Sequence, residues 1–152
     1  AIEKLLAHNK EETPFSLFDA LCKDNFEYAL NIRQKLMLSK ESSPVQLIAG
    51  LTYCFRRLRD WHVLARNGAP DDFSLKKMGF TSKKAIEQYR RASARWDAQS
   101  VSRIISLLNQ TDMQIRTAGQ ELSHVMLDAC LYSIARKQGA APAAYHSYDR
   151  TR

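Results

Sequence analysis

An all-α bundle of about five to seven helices in one domain is the fold this 152-residue sequence predicts. Three observations carry that expectation. Thr13-Pro14 and Ser43-Pro44 pair a hydroxyl N-cap with proline at the first helical position, where the missing N–H costs nothing. Apolar residues recur at spacings of three and four, the signature of helix faces. Strand-like alternation and internal repeats are absent from the pattern.

The elements follow in order. Helices are expected near Pro14–Lys23, Asn25–Leu38 and Pro44–Asn67, with Ser43-x-x-Gln46 fitting a capping box and Gly68 ending the third. Gly68 to Asp72 reads as a loop. A short helix near Phe73–Met78, a Met78-Gly79-Phe80 turn and a basic helix capped by Thr81 and reaching Arg95 come next. Asp97 is placed to cap a long helix over Ala98–Ala118, stopped by Gly119. A last helix is expected over about Glu121–Gln138, ending at Gly139.

Two long helices carry apolar seams: Ile48, Leu51, Phe55, Leu58, His62 and Ala65 on one, Val101, Ile104, Ile105, Leu108 and Ile115 on the other. The last helix differs. Leu122, Val125, Met126, Leu127, Ala129, Cys130, Leu131, Tyr132, Ile134 and Ala135 leave it little polar face. A helix apolar nearly all round is central in its bundle or covered by a partner. Leu122, Val125, Met126, Ala129 and Cys130 are therefore the expected subunit interface.

Composition sets the class. With 45% hydrophobic and 26% charged residues, the chain has enough apolar surface for a core and is not a disordered segment. A domain of this size buries roughly 68–70% of its unfolded surface, so it needs neither disulfide nor metal. Cys22, Cys54 and Cys130 are scattered and odd in number, which suits reduced thiols in a cytoplasmic protein. No apolar run reaches the roughly 20 residues that span a bilayer. The opening Ala1 sits mid-pattern, so residues 1–12 read as a linker remnant from a missing preceding domain. Residues 13–138 form the helical domain and 139–152 a frayed tail.

The charge of +7 is unevenly spread. Seven Lys/Arg between Lys76 and Arg95 face Glu87 alone, while Arg56, Arg57, Arg59 and Arg66 face Asp60. Such a face attracts phosphate or an acidic protein surface, or is simply solvated. The basic helix pair also has the outline of a helix-turn-helix. Ser82, Lys83, Lys84 and Gln88 would then stand near base edges, and Arg90, Arg91 or Arg95 on phosphates. The first helix is barely two turns long and lysines mostly bind backbone, so Lys83, Lys84, Arg90 and Arg91 point to non-specific contact.

Residue patterns for chemistry are missing. Glu121-x-x-His124 has half the spacing of a carboxylate di-metal site but lacks the second Glu-x-x-His. His8, His62, His124 and His146 are dispersed, and His62 lies on an apolar seam as a packed histidine would. Neither a nucleophile elbow nor a phosphate-cradling glycine loop occurs. The reading is non-enzymatic, with no metal, cofactor or small-molecule substrate.

Four segments, in order, carry a family resemblance. They are Glu11-Glu-Thr-Pro-Phe-Ser-Leu-Phe-Asp-Ala-Leu21, Phe26–Leu38 followed by Pro44–Asn67 with its Phe55-Arg-Arg-Leu-Arg59, Leu75-Lys-Lys-Met-Gly-Phe-Thr81 with Lys84–Ser93, and Asp97–Leu108 into Thr111–Gly119. The chain from Glu11 to Lys137 resembles the C-terminal collar domain of the bacterial DNA polymerase III delta subunit. Arg116 and Thr117 stand where that family usually has Lys and Ser, and the Cys- and Tyr-bearing last helix with its tail departs from it. The resemblance implies a helical collar packing with the other clamp-loader subunits, in a hetero-oligomer that loads the sliding clamp during DNA replication. ATPase-like and clamp-opening parts belong to preceding domains, so this fragment is expected neither to hydrolyse ATP nor to grip the clamp. Its parent would be a subunit of a DNA-directed DNA polymerase holoenzyme.

Overall fold

In the computed structural model, residues 12–39 and 42–140 are described. The expected linker remnant and tail, apart from Glu12, Gly139 and Ala140, lie outside them. Seven α-helices and no strand occur among the described residues. They are α1 (Pro14–Cys22), α2 (Phe26–Leu38), α3 (Pro44–Leu64), α4 (Asp72–Lys77), α5 (Lys83–Arg95), α6 (Ala98–Ala118) and α7 (Ser123–Lys137).

Most helix starts follow the caps read from sequence. Thr13 and Ser43 both form capping boxes, with Ser16 and Gln46 reaching back to the cap N–H groups. Asp97 accepts the Ser100 N–H at 2.8 Å, and these hydrogen bonds to the carboxylate hold its pKa below the usual value. Three boundaries differ. Ser82, not Thr81, caps α5, accepting the Ala85 N–H at 3.0 Å. Phe80 is buried and its N–H closes on Leu75 O at 2.8 Å, so the chain leaves the turn one residue later than expected. Beyond Leu64 the third helix tightens into a 3-10 turn, Ala65–Asn67, before Gly68. A second 3-10 turn, Gln120–Leu122, precedes α7, which ends with Gln138 in the left-handed region at φ 54°.

Helices α3 and α6 form the central pair, with α1 and α5 packed on α3 and with α7 laid against α6, α2 and α3. Both expected seams are buried in this arrangement, except that His62 and Ala65 are only partly buried. The His62 Nε2 donates to Trp96 O at 2.8 Å, so it is a packed, hydrogen-bonded side chain. The core is rich in aromatic contacts: Phe18 meets Phe55 edge-on at 5.2 Å, and Phe55 meets Trp96 at 5.1 Å. Where α1 crosses α3, Gly50 lies directly beneath the ring of Pro14. All three cysteines are buried and unpaired.

The close approach at Gly50 makes a counter-intuitive prediction. Alanine normally improves a helix interior by about 1 kcal/mol. Gly50→Ala should instead destabilise, by about 1–3 kcal/mol from overpacking, because the rigid Pro14 ring cannot withdraw. Urea unfolding midpoints decide it. Burial also pushes the thiols up, Cys54 to about 12 and Cys130 to about 11 from a model-compound 9.0. Above that lower value the unfolded chain loses thiol protons that the folded chain keeps. Stability should therefore be flat below about pH 8.5 and fall through the 9–11 range. Stability curves at pH 8 and 10 for the parent and for Cys54→Ala and Cys130→Ala variants would separate this slope from other alkaline effects.

Candidate interaction surfaces

Two surfaces correspond to the two groups of residues singled out in the sequence. The first is on α7. Its inner side is closed by Leu127, Leu131 and Ile134, together with Ser123 and Ser133, all buried. Leu122, Val125 and Tyr132 are 52%, 53% and 47% exposed, with Ala129 exposed between them. These positions step by three, four and three, so they form one stripe along the outer side. Met126 is half-buried at its edge, packed on the core. Cys130 does not belong to the stripe. It is 3% exposed and points inward, one residue round the helix from Ala129, so the expectation that it lines an interface is corrected.

Polar links fix α7 in place. Arg33 on α2, itself 8% exposed, donates to both oxygens of Asp128 at 2.7 and 2.8 Å. The indole N–H of Trp96 donates to Ile134 O at 3.0 Å, and Arg95 donates to Ala135 O at 2.7 Å. Phe26 of α2 meets Tyr132 edge-on at 5.9 Å. None of the four interactions was readable locally, since the partners lie far apart in the chain. Arg33 alone left a signal, as a cation among Ala29, Ile32 and Leu36 on the buried side of α2.

The second surface is basic. Lys83, Lys84, Arg90 and Arg91 are all exposed on α5. With Arg56, Arg59, Arg66, Lys76 and Lys77 they are exposed cations that form no ion pair among the described residues. Arg95 and Arg57 are different. Arg95 pairs with Asp24 at 2.9 Å beside Arg136, which reaches the same Asp24 oxygen at 3.1 Å. Arg57 lies over the Phe80 ring, 3.9 Å from its centroid, and pairs with Asp60. It also fills the space beside Gly79, whose φ of 89° suits glycine. Arg95 and Arg57 are thus consumed by the fold.

The helix-turn-helix outline weakens on inspection. The first helix, α4, has six residues. Ser82 is occupied as the cap of α5, and Gln88 donates its amide N–H to Asp19 at 3.2 Å. Lys84 and Gln88 line a groove of about 480 Å³ against α1, shared with Glu12, Asp19 and Tyr28. Acidic groups beside the α5 N-terminus oppose its approach to a base edge. Base-reading side chains are therefore engaged elsewhere, and Lys83, Arg90 and Arg91 stay available to phosphate.

No cluster of three metal-ligating side chains occurs among the described residues. Glu121 and His124 are both exposed at the start of α7. Nor is any described helix long and apolar enough to cross a membrane.

The family model described as the DNA polymerase III delta subunit, C-terminal domain, matches residues 11–134. The chain belongs to that family. Its matched span includes α1 to α6 whole and α7 as far as Ile134. Delta is a non-catalytic clamp-loader component, which places this delta-family domain in a clamp-loader-related role beside other clamp-loader and polymerase subunits. An uncharacterised protein of Treponema pallidum (strain Nichols) is 38% identical over 60 residues, covering 40% of this chain and 79% of that protein. No solved structure matches the chain.

Proposed function

We propose that this domain is a collar: a non-catalytic helical module that holds the clamp-loader subunits together while the sliding clamp is loaded during DNA replication, in the cytoplasm. Leu122, Val125 and Ala129, bordered by Met126 and Tyr132, form the contact. The observation that carries this reading is the half-exposed apolar stripe on a helix whose other side is core. Isolated apolar residues on a surface mean little, but a contiguous stripe at helical spacing is the form a helix-packing interface takes.

A second reading has its own observation, the nine exposed cations of α3, the 3-10 turn after it, α4 and α5 that lack ion pairs among the described residues. They suit the phosphate backbone of nucleic acid, contacted without reading sequence. The two readings use different surfaces and are compatible.

Val125→Glu tests the first. It should abolish complex formation with the other clamp-loader subunits of the same organism, weighed by native mass spectrometry. Thermal stability should hold within about 0.5 kcal/mol, because the side chain is half-exposed. Normal assembly of the variant would remove α7 from the interface. Duplex DNA titrated across salt tests the second. Binding should weaken steeply with salt, and replacing Lys83, Lys84, Arg90 and Arg91 by Gln should flatten the logarithmic slope by roughly 3 to 4. Negligible binding at low salt ends that reading.

A further inference from the structure

Helix α7 carries apolar side chains on both sides, so burial alone fits two rotations of it. The inner side holds Leu127, Leu131 and Ile134, but also Ser123 and Ser133. The outer side holds Leu122, Val125, Ala129 and, at its edge, Met126. Hydrophobic burial is non-directional and follows area, so it discriminates poorly between two such faces. The bonds at the end of the helix add little. Trp96 and Arg95 donate to the carbonyls of Ile134 and Ala135, which belong to the last turn. Four carbonyls there lack helical partners, and a rotated helix offers a neighbouring one.

Asp128 is different, because the bonded group is a side chain and points one way. At about 100° per residue it stands on the flank between the inner residues and the outer stripe. That flank faces α2, where Arg33 is 8% exposed among Ala29, Ile32 and Leu36 and donates to both Asp128 oxygens. Turning α7 by half a revolution, so that Val125 and Ala129 face inward, carries Asp128 to the opposite flank. Arg33 is then a buried cation without a counter-ion, far costlier than the exchange of one apolar face for another.

We infer that Arg33 is a positioning residue whose bidentate pair with Asp128 selects which face of α7 turns outward. The pair supplies selection more than net stability. Replacing both members of a buried ion pair by apolar side chains is often neutral or stabilising, whereas removing one strands the other. The inference stands on the packing of α7 within this chain. The collar reading gives it a use, and the Val125→Glu assembly test can fail or succeed independently of it.

Positions 129 and 130 report the rotation, since Ala129 is exposed and Cys130 is 3% exposed. Maleimide labelling of the native Cys130, located by peptide mass, is compared in the parent and in an Arg33→Met/Asp128→Leu double variant. Buried Cys54 of α3 reports any global opening. The double variant should unfold cooperatively, at a urea midpoint no lower than the parent's. Its Cys130 should nevertheless label roughly tenfold or more faster while Cys54 keeps its parental rate. A cysteine introduced by Ala129→Cys should label more slowly in the double variant than in the parent background. Asp128→Leu alone, which strands Arg33, should lower the midpoint. Parental Cys130 protection in the double variant overturns the inference, because packing then sets the face unaided. Cys130 and Cys54 accelerating together, or loss of folding, makes the pair a stabilising contact and overturns it as well. So does a parental midpoint for Asp128→Leu, since a stranded Arg33 would then carry no penalty.

Discussion

Trp96 is the constraint around which this bundle is arranged. It stands in the tight link between α5 and α6, fully buried, with Phe18 of α1 and Phe55 of α3 against its ring. A large ring brings a large burial gain, but an indole N–H and a non-helical carbonyl in the core are costly unless bonded. Both are bonded. The N–H goes to Ile134 O in α7, and the carbonyl accepts from His62 in α3. One residue thus couples α1, α3, α7 and the α5–α6 link. His62 owes its place on an apolar seam to that carbonyl.

The charged groups obey a related logic at the adjacent end of the bundle. Asp24, just past the C-terminus of α1, sits at φ 57°, an uncommon conformation for a residue with a side chain. Its carboxylate gathers Arg95 from the end of α5 and Arg136 from the end of α7. Cations are favoured near helix C-termini, where carbonyls lack partners, and Arg95 answers directly by bonding Ala135 O. Part of the basic character that looked functional in the sequence is therefore helix-end compensation. Only the cations that the fold leaves on the surface are free to meet a partner.

Helix positions were legible because they are written in short-range chemistry. Thr13, Ser43 and Asp97 cap within three residues of themselves, and the Asp112–Arg116 pair forms at 3.0 Å as four-residue spacing predicts. The orientation of α7 was not legible. Its apolar residues occupy every direction, so hydrophobicity alone could not say which ones face out. The buried serines resolve it: Ser123 and Ser133 lie inside while Val125 is out, with the Ser123 hydroxyl donating to Gln120 O at 2.6 Å. Small side chains let helices approach closely, and that demand outranks polarity. Cys130 was misplaced for the same reason, being apolar and mid-helix but on the packed side.

An exposed apolar stripe binds well only if it is already held in its bound geometry, since ordering a loose helix at the moment of contact subtracts from affinity. Helix α7 meets that condition by an uneven distribution of bonds. Ile134 and Ala135 are tied through their carbonyls to Trp96 and Arg95, while Asp128 is gripped bidentately by Arg33. All of these lie on the inner or flanking sides, and none uses a group on the outer stripe. The guanidinium's planar fork fixes direction as well as distance, which a single lysine contact does not. The outer stripe is left largely apolar and half-exposed, with the Tyr132 hydroxyl as the polar group that a covering helix would have to bond or desolvate. Rigidity and stickiness are thereby assigned to opposite sides of one helix, the division of labour that an assembly surface requires.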